Sequence, residues 1–365
     1  MMNMIELKQV SRRYGAVEAL APLDFSVKQG EFVTLLGPSG SGKTTLLNLI
    51  AGMVSPSSGQ IFVRGVDITN APPSSRGLGM VFQNYALMPH MTVFDNIAFP
   101  LHVRKMPKEE IRRKVKDVLD MVRLPDIAAR KPKELSGGQQ QRVSLARCIV
   151  YNPALILLDE PLGALDKKLR EQMQLEIRRL HAQLGITMLN VTHDQDEALS
   201  MSDRIVLMNQ GRIEQVATPD ELYRSPRTAF AASFIGAANL ISGTVQDNAG
   251  EHTVVSTPLG LLPATMRSGA VSRGAAVKLL VRPESVRMTC ALHSPDVDTA
   301  SGLRHAGMLE DSITLGSVVR HHVRLACDMQ IVVQQQGNRR QITQERGAPV
   351  LLDWLPEDCQ IILQD

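Results

Sequence analysis

The chain has few cysteines and no close pair of them. Cys148, Cys290, Cys327 and Cys359 lie far apart with no C-x-x-C spacing, which excludes a disulfide frame or a cysteine zinc site and points to thiols in a reducing compartment. Charge of one sign is lacking too. Against 40 Lys and Arg stand 37 Asp and Glu, a net +3, and there is no long basic run, so nucleic acid is not an expected partner. No stretch approaches the roughly 18 apolar residues of a membrane helix. The opening Met1-Met2-Asn3-Met4-Ile5-Glu6-Leu7 puts no cationic stretch before a long apolar one, so no signal peptide is expected. Low-complexity segments are also missing. The rest is ordinary: 365 residues, 44% hydrophobic and 21% charged, enough for about two or three domains with sizeable cores. The expected location is cytoplasmic, with any membrane association made through a partner.

One stretch stands out from this composition. Gly37-Pro38-Ser39-Gly40-Ser41-Gly42-Lys43-Thr44 follows the apolar run Phe32-Val33-Thr34-Leu35-Leu36 and precedes Thr45-Leu46-Leu47-Asn48-Leu49-Ile50-Ala51. Strand, glycine-rich loop and helix in that order make a phosphate-binding P-loop. The glycines let successive N–H groups converge on one anion, and the helix aims its positive dipole end there. Lys43 is placed to reach the β- and γ-phosphates and the Thr44 hydroxyl to ligate Mg²⁺; Thr45 completes the cofactor-binding stretch. The fixed positions should match by accident in roughly 1% of chains this long, and a ligand-free glycine turn would not need the flanking strand and helix. The expected ligands are ATP and Mg²⁺.

Around the loop, residues 4–36 read as strands with turns at Arg13-Tyr14-Gly15 and Gln29-Gly30. Gly52 should end the first helix. Gln60–Val63 and Gly79–Phe82 read as strands, with Gln83 closing the second. Residues 84–150 read as a helical insert: Pro107 opens a segment with Ile111, Val115, Val118, Leu119 and Val122 at helical spacing, and a second helix should start after Ser136. The αβ rhythm then returns. Ala154-Leu155-Ile156-Leu157-Leu158-Asp159 is continuously apolar up to its acid, as a strand buried on both faces must be. A helix after Asp166 carries Leu169, Met173, Ile177, Leu180 and Leu184 on one stripe and should stop at Gly185. Ile186–Val191 is the next strand, and Asn209-Gln210-Gly211 marks a hairpin. Beyond about residue 236 only short β-like runs separated by Gly, Pro and Asp remain, which predicts a small β-barrel and a boundary near 236–242.

A P-loop protein needs a second acid to manage Mg²⁺ and water. Asp159 sits at the C-terminal end of the buried strand, where ligands collect in open α/β sheets, and is the candidate metal carboxylate. Glu160 follows outside the sheet as candidate general base. A carboxylate pair capping a turn is the plainer alternative, disfavoured by the four apolar residues before it. Leu135-Ser136-Gly137-Gly138-Gln139 is a second anion site by its chemistry, a hydroxyl and glycine amides at a helix N-terminus. Chance would produce it in well under ~1% of chains.

This last pattern resembles the signature of the ATPases of ABC transporters, and with it the resemblance covers residues 4 to about 235. The resemblance implies a fold: an α/β P-loop NTPase with a helical subdomain (residues 1–236, insert 84–150), then a small all-β OB-like regulatory domain (240–365). It also implies a head-to-tail pair of copies enclosing ATP, with Ser136, Gly137, Gly138 and Gln139 of one copy facing the γ-phosphate held by Lys43 of the other. Tyr14 matches the aromatic that stacks on adenine. Gln83 matches the glutamine that senses Mg²⁺ and the attacking water. Asp166, in Leu162-Gly163-Ala164-Leu165-Asp166, matches the aspartate at the dimer interface; the family often has Ser where Gly163 stands, so no hydroxyl contact is implied there. His193, in Val191-Thr192-His193-Asp194, matches the histidine that contacts the γ-phosphate and orients Glu160. Catalysis is thereby assigned to Glu160, His193, Gln83 and Lys43, and metal binding to Thr44, Gln83 and Asp159.

Residues 81–101 resemble bacterial importers of polyamines, maltose, ferric iron and phosphonates, which implies a groove for a helix of a permease. Phe234-Ile235-Gly236, Asn239-Leu240-Ile241 and Val281-Arg282-Pro283-Glu284 resemble the joint and opening of the regulatory domain in such ATPases, and Gly307–Gly316 is most similar to the polyamine type. The implied partners are a second copy, two permease subunits and, indirectly, a periplasmic solute-binding protein, at the cytoplasmic face of a bacterial inner membrane. Importers of other solutes remain an alternative. Non-transport ABC proteins carry a long coiled coil or two cassettes, and exporters usually lack the β-rich tail.

Overall fold

A computed structural model describes residues 2–247, 252–266, 271–290, 304–337 and 345–363. Its contacts divide the chain into two units, Met1–Asp220 and Glu221–Asp365.

In the first unit, Asn3–Tyr14 (β1) and Val17–Lys28 (β2) pair antiparallel and turn at Gly15. Phe32–Leu36 (β3) is buried at every residue. Lys43–Ala51 (α1) follows and ends at Gly52, whose φ of 80° is the left-handed cap predicted there. Ser58–Val63 (β4) and Val66–Asp67 (β5) extend the first sheet, ordered β2-β1-β4-β5. Gly79–Val81 (β6) leads to the insert: Val93–Val103 (α2), Lys108–Met121 (α3) and Gly137–Ile149 (α4). Leu155–Asp159 (β7), Lys167–Leu184 (α5), Thr187–Thr192 (β8), Gln195–Met201 (α6), Arg204–Asn209 (β9) and Arg212–Ala217 (β10) complete the unit. The hairpin between β9 and β10 turns on Gln210 and Gly211, both at positive φ, as a two-residue loop requires.

The second sheet of the unit is ordered β10-β9-β3-β8-β7-β6, with every pairing parallel except that of β10. Alternation along β7 explains its uninterrupted apolar run. Ile156 and Leu158 join the cluster built with α2 to α5, whereas Leu155 and Leu157 join the cluster of α1 and the antiparallel sheet. Each such side chain contributes roughly 1.5–3 kcal/mol by leaving water, so a polar residue inside this strand would be costly on either side. The strand C-termini therefore stay together at one edge, and Asp159 is the last residue of β7.

The helix α2 is an addition to the sequence reading. Thr92 caps it with a reciprocal bond to Asp95, a Thr-x-x-Asp pattern that marks a helix start.

By its contacts the second unit starts at Glu221, whereas the sequence places a boundary near 236–242. Pro219–Arg224 (α7) begins at the division and Ala229–Phe234 (α8) lies beyond it. Residues from 221 onward belong to the β-rich unit because buried Arg282 donates to the carbonyls of Tyr223, Ala232 and Ala237. Its guanidinium also stacks 4.4 Å over the Tyr223 ring. The strands are Asn239–Asp247 (β11), Thr253–Thr257 (β12), Gly260–Ala264 (β13), Ala276–Val281 (β14), Arg287–Cys290 (β15), His305–Leu315 (β16), Val318–Leu325 (β17), Gln330–Gln336 (β18), Pro349–Asp353 (β19) and Cys359–Leu363 (β20). They form two five-stranded antiparallel sheets, β13-β12-β11-β14-β20 and β15-β19-β16-β17-β18. One apolar cluster serves both, from Ile241 and Leu279 to Val323, Leu352 and Trp354. No helix among the described residues is long and apolar enough to cross a membrane.

Candidate nucleotide site

The loop between β3 and α1 needs glycine at two places. A Cβ on Gly37 would sit 2.2 Å from the Met208 carbonyl oxygen of β9, and one on Gly42, at φ 96°, would sit 2.9 Å from the Ala19 carbonyl oxygen. Gly42 is also the N-cap of α1 and no side chain caps the helix. The N–H groups of Lys43, Thr44 and Thr45 thus lack intrahelical acceptors. Lys43 is buried, and its Nζ donates to the Gly37 and Pro38 carbonyls at 2.8 and 2.9 Å. Burial lowers its pKa, and the charge of Glu160 raises it. The Ser41 hydroxyl is buried with no hydrogen-bond partner. Ser39, Gly40 and Thr44 are exposed.

Asp159 and Glu160 follow at the adjoining strand end. The Glu160 N–H still donates to the Val191 carbonyl at 2.9 Å, continuing the β7–β8 pairing, but its φ of 43° is left-handed. A non-glycine residue there costs on the order of 1–3 kcal/mol, and the turn it starts carries the carboxylate out of the sheet. Gln83 Nε2 donates to Glu160 Oε2 at 3.1 Å. His193 Nδ1 lies 3.0 Å from Glu160 Oε1; against an ionised carboxylate it is the donor. Gln83, Glu160 and His193, with Gln83 and His193 lying 77 and 33 positions from Glu160 along the chain, therefore meet at one place. Asp159 has its pKa raised by burial and by the charge of Glu160.

The remaining predicted residues are held elsewhere. Ser136 caps α4 in a reciprocal bond with Gln139. A Cβ on Gly137 would meet Leu165 at 3.2 Å and one on Gly138 would meet Leu169 at 2.9 Å, so these glycines let α4 approach the segment that opens α5. Asp166 caps α5 through the Leu169 N–H at 3.0 Å. Among the described residues, no hydrogen bond joins 135–139 to 37–44. Tyr14 is 46% exposed, with the Arg12 guanidinium 4.4 Å from its ring centre, which leaves the aromatic available as a stacking platform.

Sequence reasoning included Ser41 as one residue of the phosphate loop, and did not single out the arginines that brace the site. Arg147 of α4 donates to the Tyr85 and Ala86 carbonyls, and Ser144 to that of Tyr85. These bonds hold two successive left-handed residues just after Gln83. Arg170 of α5 bridges Asp194 and the Leu165 carbonyl. Arginines spaced among helix-face residues give no signal that separates such braces from solvated charges.

Known proteins match this arrangement. Residues 20–163 match the ABC transporter family and residues 279–362 match the TOBE domain. The spermidine/putrescine import ATP-binding protein PotA of Thermobifida fusca is 44% identical, over 98% of this chain and 93% of its own length. That of Acidothermus cellulolyticus is 45% identical, over 96% of this chain and 90% of its own. This chain belongs to the ABC transporter ATP-binding family. Among solved structures, the ABC cassette MJ0796, a dimer in a post-hydrolysis state bound to ADP and Pi, is 35% identical over 59% of this chain and 99% of its own, at TM-score 0.52. As an ABC ATPase, the chain has the expected P-loop fold followed by a β-rich TOBE domain, and it binds and hydrolyses ATP.

The residues fit the nucleotide on their own terms. An uncapped helix start, a buried ammonium and an unpartnered Ser41 hydroxyl are donors suited to an anion. They fit Mg²⁺ as well: the Thr44 hydroxyl and the Gln83 and Asp159 oxygens are the hard donors that cation takes, and a cation would relieve the like charges of Asp159 and Glu160.

Proposed function

We propose that this ATPase energises the import of a polyamine, spermidine or putrescine, through a bacterial inner-membrane permease. The observation that carries the reading is that the likeness to PotA proteins runs through both units rather than through the ATPase alone. Two copies pair head to tail and each contributes to both sites. The loop 37–44 of one copy, with Lys43 on the β- and γ-phosphates and Tyr14 against adenine, faces Ser136, Gly137, Gly138, Gln139 and Asp166 of the other. Mg²⁺, held by Thr44, Gln83 and Asp159, would offset phosphate charge.

Glu160 is the general base. Both of its oxygens already accept bonds, one from Gln83 and one from His193, so the carboxylate is oriented before substrate arrives and little is lost in fixing it during reaction. Lys43 is pre-positioned on the loop carbonyls and exchanges them for phosphate oxygens. The segment after Gln83, braced by Arg147 from the signature helix, links nucleotide occupancy to the insert that faces two permease subunits at the cytoplasmic face of the membrane. A periplasmic binding protein delivers the solute to them.

The test is uptake and ATP hydrolysis by the complete complex in proteoliposomes. Spermidine should stimulate hydrolysis and enter the vesicles. Glu160→Gln should cost about 10²–10⁴ in turnover while still binding ATP and trapping a closed dimer. Wild-type turnover in that variant removes Glu160 from its role; stimulation by another solute and not by polyamines overturns the substrate.

A further inference from the structure

The side chain of His193 is 59% exposed, and its bond to Glu160 is the one side-chain bond it makes among the described residues. Packing does not fix it, so its place depends on the backbone of Thr192 and Asp194. Both flanks are held. The Asp194 N–H donates to Thr192 Oγ1 at 3.0 Å, and Asp194 Oδ1 accepts from the Glu197 N–H at 3.1 Å to cap α6. Asp194 Oδ2 accepts from Arg170 Nη1 at 2.8 Å.

The other end of the same guanidinium holds the turn that starts at Glu160. From Glu160 the chain turns through Gly163 N–H to the Glu160 carbonyl and Leu165 N–H to the Leu162 carbonyl. Arg170 Nη2 then donates to the Leu165 carbonyl at 3.1 Å. The bonds close a ring: Glu160, its turn, Arg170, Asp194, His193 and back to Glu160. Glu160, Arg170, Thr192, His193 and Asp194 line one cavity of about 40 Å³, so the ring surrounds a small polar space rather than a packed core.

We infer that Arg170 is a positioning residue for hydrolysis: it clamps the Glu160 turn to the His193 loop, and so sets the distance between base and histidine. This rests on the reading of Glu160 as general base. Arginine is suited to it because its planar fork donates in two directions at once, to a carboxylate and a carbonyl on different loops. Lysine could keep the ion pair with Asp194 but could not also span to Leu165.

The test uses the full chain, with kcat, KM for ATP, affinity for a fluorescent ATP analogue and thermal unfolding measured together. Misplacing a reacting group by about 1 Å can cost about 10²-fold, so Arg170→Gln should lower kcat about 10- to 100-fold and leave nucleotide affinity within about twofold. Arg170→Lys, which retains the ion pair and the fold, should fall between Gln and wild type. Asp194→Asn should lower kcat too, and the Arg170→Gln/Asp194→Asn pair should lose less than the product of the two single losses, because they cut one ring. A kcat within about twofold of wild type in both Arg170 variants overturns the inference, as does a loss that tracks affinity or melting temperature, since either reflects only structure. Glu160→Gln serves as the reference. If it is inactive while the Arg170 variants are active, the clamp falls and the base stands; if it is active, the base itself falls.

Discussion

Glu197 lies 2% exposed beneath the His193 loop. It accepts from Asn190 Nδ2 at 2.9 Å and is paired with Thr192 Oγ1 at 3.0 Å. Burial pushes its pKa up from the usual 4.5 to about 7, against the opposing pull of those two hydrogen bonds. A native pKa above the unfolded one means the folded state holds the proton more tightly. The stabilisation is therefore complete below about pH 4.5 and is lost as pH rises through about 7. At about 1.4 kcal/mol per tenfold change in proton affinity, the whole effect is about 3 kcal/mol, of which about 2–3 falls between pH 5 and 8. Glu197→Gln removes the ionisation and keeps the shape. Its amide oxygen still accepts from Asn190 and its NH₂ donates to Thr192, at a cost below about 1 kcal/mol. The comparison is urea unfolding of both proteins at pH 5, 6, 7 and 8, extrapolated linearly to water. Helical circular dichroism reads the first unit, because α1 to α6 lie there, whereas the single tryptophan, Trp354, reports the second. Other titrating groups cancel in the difference between variants. Glu197→Gln should gain on wild type as pH rises, by about 2–3 kcal/mol in total. A gap constant to within about 0.5 kcal/mol from pH 5 to 8 would refute the reasoning.

Two further expectations concern packing. Gly138→Ala places a Cβ 2.9 Å from the end of the Leu169 side chain, so that side chain or the start of α5 must shift; the full chain should lose about 1–3 kcal/mol in urea unfolding, and unchanged stability would show that Leu169 moves aside at no cost. Arg76 is buried and donates to the carbonyls of Leu49, Ile50, Thr69 and Ala71. Arg76→Ala strands those acceptors and should cost about 2–4 kcal/mol, measured on the same helical signal; a loss under about 0.5 kcal/mol would mean that water replaces the guanidinium.

The parts of this protein legible in the sequence are those whose cause is local. A glycine-rich loop between an apolar strand and a helix requires only neighbouring residues, and so do the cap at Gly52, the Gln210-Gly211 turn and the buried run 154–159. Each appears in the structure as expected. Thr92 at the start of α2 was equally local and readable, yet its segment reads first as an apolar surface for a partner. The division of contacts at Glu221 has no local signal. Residues 221–236 look like the end of the ATPase by sequence, and they join the β-rich unit because one distant residue, Arg282, gathers their carbonyls.

For the site, residue order alone carries the chemical inventory: a loop for phosphate, an acid pair at a strand end, and a histidine and a glutamine at two others. That Gln83 and His193 grip opposite oxygens of Glu160, that Gly138 is needed to admit Leu169, and that Arg170 ties two loops together were decided only by tertiary structure. The reason is physical. Composition and periodicity report which face of an element is buried, whereas a side-chain hydrogen bond between elements depends on angle and distance at both ends, and those are fixed only when the sheet brings the strand ends into register.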